Sequence, residues 1–72
     1  MDEIFILLTN IIILRKSHKL SKKEMADIMG VSLYVLNRIE KEHYPYAIKI
    51  NSIFKLSHYF GIPPHNLFKK IK

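Results

Sequence analysis

Apolar and polar positions follow a helical period along most of the chain. The clearest instance runs from Leu20 to Lys41, LSKKEMADIMGVSLYVLNRIEK. Ser21 stands where an N-cap belongs, and Glu24 follows three residues later, the spacing of a capping box. The pattern predicts a helix from about Lys22 to Met29, with Met25, Ala26 and Met29 on one face. Gly30 suits the left-handed conformation that ends such a helix. Ser32 can cap a second helix through Leu33 to Lys41, with Leu36 and Ile39 spaced to face a core. So short a connection leaves the two helices steeply crossed, with Ala26 as the small residue at the close approach. The expected unit is a helix, a tight turn and a second helix.

Upstream, Ile4 to Leu14 is an apolar run broken only by Thr9 and Asn10, well short of the ~20 residues of a bilayer-spanning helix. Asp2 and Glu3 precede it, and Arg15, Lys16 and Lys19 follow. That order is the reverse of a secretory signal and suits the dipole of an ordinary helix. Ile4, Leu7, Ile11 and Leu14 share one side and are expected to pack on the crossed pair. Phe5, Ile6, Ile12 and Ile13 then lie around the other side, more than a small core requires. A second copy of the chain is the expected cover for them, and a neighbouring loop or the C-terminal helix is the alternative. A membrane surface is disfavoured, because the run lacks a polar face.

Downstream, Glu42 to Ala47 reads as a loop around Pro45. A fourth helix is expected from about Lys49 to Phe60, with Ile50, Ile53, Phe54 and Leu56 supplying apolar contacts and Gly61 ending it. Pro63 and Pro64 open a short fifth helix through Leu67, Phe68 and Ile71. The expected fold is all-α, a compact bundle of about five helices forming a single domain over residues 1–72.

Composition narrows the chemistry. A chain of 72 residues buries only roughly 60% of its unfolded surface, enough for one modest core. The absence of cysteine removes disulfides, thiolate metal sites and thiol nucleophiles. Twelve Lys and Arg against six Asp and Glu leave a net charge of +6, which favours an anionic partner such as nucleic acid. His18, His43, His58 and His65 show no metal-ligand spacing, the serines lack a nucleophile-elbow context, and two glycines cannot make a phosphate-cradling loop. No catalytic residue, metal or cofactor is expected.

Several motifs in order carry a family resemblance. They are Leu14-Arg15-Lys16, Leu20-Ser21, Met25-Ala26, Met29-Gly30-Val31-Ser32, Leu36-Asn37-Arg38-Ile39-Glu40, Gly61-Ile62 and Leu67-Phe68. From about Ile11 to Phe68 the chain resembles the phage-repressor-like (xenobiotic-response-element-like) helix-turn-helix regulators, a mostly prokaryotic family. It departs from their pattern at Lys22, where glutamine is usual, and after Glu40, where the segment is longer and lacks the common glycine. The resemblance implies a lambda-repressor-like DNA-binding domain whose second motif helix enters the major groove. It carries base reading onto Leu33, Tyr34, Asn37 and Arg38. Arg38 suits guanine, Asn37 adenine and Leu33 a thymine methyl, while Tyr34 suits a phosphate or the sugar and base edge. The alternative for Arg38 is an intrahelical pair with Glu42, worth about 0.3–0.5 kcal/mol. Phosphate contacts are expected from Lys22 and Lys23, at a helix N-terminus, and from Lys41, His43 and Tyr44 beside the reading helix. Tyr46 and Lys49 flank the same helix, and Glu40 is expected to interact within the protein. The implied protein is a cytoplasmic, nucleoid-associated repressor binding double-stranded DNA as a homodimer. Two rivals stay open: an antitoxin-like protein with a second protein partner, and an interaction module that has lost DNA binding.

Overall fold

The structure, a computed structural model, describes residues 3–42 and 48–71, apart from the side chain of Glu42. Four α-helices are present: α1 (Glu3–Ser17), α2 (Lys22–Met29), α3 (Leu33–Glu42) and α4 (Ile50–Phe60). A 3₁₀ segment, Pro64–Phe68, follows them, and no strand occurs among the described residues.

Local chemistry sets the helix ends. At the start of α2 the Ser21 hydroxyl oxygen accepts from Glu24 N–H at 3.0 Å, and the Glu24 carboxylate accepts from Ser21 N–H at 2.8 Å. This is the capping box the spacing predicts. The Ser32 hydroxyl oxygen accepts from Val35 N–H at 3.1 Å and caps α3 as expected. Gly30 (φ +73°) and Gly61 (φ +66°) terminate α2 and α4 in the left-handed region. Helix α1 ends in the same motif without glycine. Lys19 has φ +56°, Lys19 N–H donates to Lys16 C=O, and Leu20 N–H donates to Arg15 C=O.

One buried cluster joins the helices: Leu7, Leu8, Ile11 and Leu14 of α1, Met25, Ala26 and Met29 of α2, and Leu36 and Ile39 of α3. Leu56 of α4 and Leu67 of the 3₁₀ segment complete it. Ile4, expected inside, is exposed. It lies on the same side of α1 as Leu7, Leu8 and Ile11, so its axial position in the first turn keeps it in solvent.

Three polar side chains do what apolar periodicity cannot show. Buried Asn10 donates through Nδ2 to Leu67 C=O and to Lys69 C=O, both at 2.7 Å, stitching α1 to the C-terminal segment. The expected fifth helix is only a 3₁₀ turn, which stops at Phe68 because Lys69 is extended (φ −112°, ψ 149°), and Asn10 holds the carbonyls on either side of that stop. Ile71, expected in that helix, lies beyond it and is exposed. On α4, buried Ser52 donates to Met29 C=O at 3.0 Å. Ser52, Ile53, Leu56 and Phe60 consequently form the inner stripe, and Ile50 and Phe54, expected inside, face outward.

Arg15 holds the third helix. Its Nε and Nη2 donate to the two Glu40 carboxylate oxygens at 2.7 and 3.0 Å, and Nη1 donates to Leu20 C=O at 3.1 Å. This forked, largely water-excluded pair fixes α3 against α1 and gives Glu40 the intraprotein role expected of it.

Candidate nucleic-acid interface

The rotation of α3 about its axis is set from inside. Leu36 and Ile39 are fully buried, and Glu40 is withdrawn towards Arg15. The remaining positions face out. Tyr34 is 66% and Leu33 45% exposed, Lys41 is exposed, and Asn37 and Arg38 are half-buried. Tyr34, Asn37, Arg38 and Lys41 line one shallow concavity along the helix. All four expected base-reading residues therefore share the outward side of one helix.

Charge is sorted along with orientation. The engagement of Glu40 by Arg15 leaves Lys41 as the charged side chain between it and the end of the described residues on α3. The side chain of Glu42, the suggested partner of Arg38, lies outside the described residues. So do His43, Tyr44 and Tyr46, and their expected phosphate contacts with them. Lys49 is exposed just before α4.

The start of α2 supplies the second basic element. Lys22 and Lys23 are exposed in its first turn. Lys23 Nζ lies 3.7 Å from an Asp27 carboxylate oxygen one turn on, an exposed contact too weak to hold the lysine from an anion. The capping box occupies the N–H groups of Ser21 and Glu24, so the anion-attracting N–H groups left at this end are those of Lys22 and Lys23. The Ser21 N–H, and after it the Ser21 side chain, hold the Glu24 carboxyl below its ordinary range. Because that value is depressed, the contribution of Glu24 to stability is present at neutral pH. It is lost as pH falls through the depressed value.

Elsewhere, Phe5 is exposed and Ile6, Ile12 and Ile13 are half-buried on α1. Phe5, Ile6 and Ile13 line a groove with Thr9, Asn10, Lys70 and Ile71, so the C-terminal segment borders part of this surface. Ile12 lies outside that groove. No cluster of His, Asp and Glu able to hold a metal occurs among the described residues. No helix among them is long and apolar enough to cross a membrane.

Sequence reasoning missed the contacts of Arg15, which fixes α3 against α1, and of Asn10 and Ser52, which tie α1 to the C-terminal segment and α4 to α2. Their partners lie 25, 57 and 23 positions away, so no local spacing could reveal them.

Two capped helices joined by a left-handed glycine, the second with its polar edge outward, define a helix-turn-helix DNA-binding domain. A helix-turn-helix family model, of the phage-repressor and xenobiotic-response-element type, matches residues 11–67. The chain belongs to that family of DNA-binding regulators, which is not typically enzymatic. No curated protein and no solved structure matches the chain.

Proposed function

We propose that the protein is a sequence-specific repressor that binds an inverted-repeat operator as a homodimer. The single observation that carries this reading is the outward edge of α3. Tyr34, Asn37, Arg38 and Lys41 form one face with hydrogen-bonding, aromatic and cationic groups, while Glu40 on the same helix is neutralised inside. A solvated helix needs no such division. Arg38 is suited to a forked contact with guanine and Asn37 to adenine. Lys22, Lys23 and Lys41 supply the sequence-independent attraction to phosphate.

The dimer is assigned to α1, where Phe5 remains 46% exposed beside Ile6 and Ile13. A two-fold pair would present two α3 helices to half-sites about one helical turn, roughly 34 Å, apart. Its work would be done in the cytoplasm, on the nucleoid. Selection of bound sites from random duplex DNA tests the whole reading. Recovered sequences should be inverted repeats with that spacing. Unpaired half-sites would contradict the dimer, and no enrichment at all would contradict sequence-specific binding.

A further inference from the structure

We infer that the outer face of α4 is a docking site for an acidic, amphipathic helix of another protein.

Helix α4 carries more apolar surface than the core uses. Its inner stripe includes a serine, Ser52, whose hydroxyl donates to Met29 C=O and fixes the rotation of the helix. Ile50, Phe54 and Tyr59 are consequently left in solvent, each more than half exposed. Ile50 lies one turn before Phe54 on the same side. Phe54 and Tyr59 line a shallow groove with Ile28 of α2, and Asn51, Lys55 and His58 complete its lining. Apolar side chains gathered in this way and rimmed by polar ones mark an interaction surface, whereas scattered ones do not. The Tyr59 ring already packs edge-on against Phe60, with centroids 5.0 Å apart. Less ordering is therefore left for a partner to impose.

A groove between two packed helices suits a third helix laid along it, apolar side inward. Charge then selects the partner. Helix α4 contains no acidic residue, and the groove offers the cationic Lys55 beside His58. Asp27, next to Ile28 in the chain, is not part of the lining and has Lys23 at 3.7 Å. An occupant with Asp and Glu beside its apolar stripe meets complementary charge on this rim. A second copy does not, since a two-fold pair would bring two such rims together. A nucleic-acid strand would meet the cation, but the aliphatic Ile28 and Ile50 give its bases no ring to stack on. The groove shares no residue with the α3 concavity, so the inference stands apart from the DNA-binding reading.

Selection from a displayed library of helix-forming peptides, with the full chain as bait, provides the test. Recovered peptides should carry Asp or Glu beside an apolar stripe of helical spacing. In fluorescence anisotropy with a synthetic copy, Phe54→Ala should weaken binding about tenfold or more. Lys55→Glu should also weaken it and flatten its dependence on salt. Both side chains are exposed, so helix content by circular dichroism should not change. Recovery of no peptide, peptides without acidic residues, or binding that Phe54→Ala leaves intact would each overturn the inference. Two other results would give the face to a different occupant and overturn it as well. One is a shift of the wild-type chain towards monomer in Phe54→Ala, read by sedimentation. The other is loss of affinity in that variant for an oligothymidylate or for a selected duplex. Failure to select any duplex would bear on the DNA-binding reading alone.

Discussion

Arg38 and Glu40 are two positions apart on α3, about 200° around the helix, and that angle decides what each can touch. Glu40 meets Arg15 inside, whereas Arg38 lines the outer concavity. On the proposed reading Arg38 serves one base pair and Lys22 serves a phosphate, so their removal should be told apart by two readouts. Arg38→Ala should cost about 1–3 kcal/mol on the selected site and relax a single base position. Lys22→Ala should weaken all duplexes alike and lower the slope of log affinity against log salt by about one. Affinities over a salt series on selected and scrambled duplexes check both, and equal effects on both duplexes in the two variants would contradict the division of roles.

Among elements, α3 depends on its attachment to α1 more than on its own propensity. Its first turn leans on the Ser32 cap, and its last turns lean on the Arg15–Glu40 fork. Glu40→Ala would strand the largely buried guanidinium of Arg15, and the expected loss is about 3 kcal/mol of stability, read from urea unfolding. A loss under about 0.5 kcal/mol, the range of ordinary surface changes, would show that the fork does not hold the helix.

The same elements show what the sequence made legible. Caps within three residues of their partners were readable, which is why Ser21, Glu24, Gly30 and Ser32 stand where spacing puts them. The inner stripe of α3 was readable too, because Leu36 and Ile39 are its apolar positions at helical spacing. On α4 the extent, the Gly61 end and the inward Ile53 and Leu56 were readable, and only Ile50 and Phe54 were wrongly assigned to the core. The helix is instead turned by the hydrogen bond of Ser52 to Met29 C=O. The C-terminal segment was misread beyond Phe68, where the chain is extended and Asn10 of a distant helix holds the Leu67 and Lys69 carbonyls. Long-range hydrogen bonds leave no periodic trace, and they set the rotation of elements whose existence periodicity does reveal.

For the whole molecule, the surplus of six positive charges favours approach to any duplex, and the orientation of α3 must then select among duplexes. Two other surfaces compete for a role. One is the α1 groove around Phe5, Ile6 and Ile13, and the other is the outer side of α4, where Phe54 and Tyr59 are exposed beside Ile28. The central claim is that α3, and neither of these, meets the duplex. Amide chemical-shift mapping of the full chain, titrated with a duplex recovered by selection, tests it most directly. The expected result is that the large changes gather at Leu33, Tyr34, Asn37, Arg38 and Lys41, with a second group at Lys22 and Lys23. Changes confined to the α1 groove or to the Phe54 and Tyr59 side of α4, with α3 unmoved, would contradict the account.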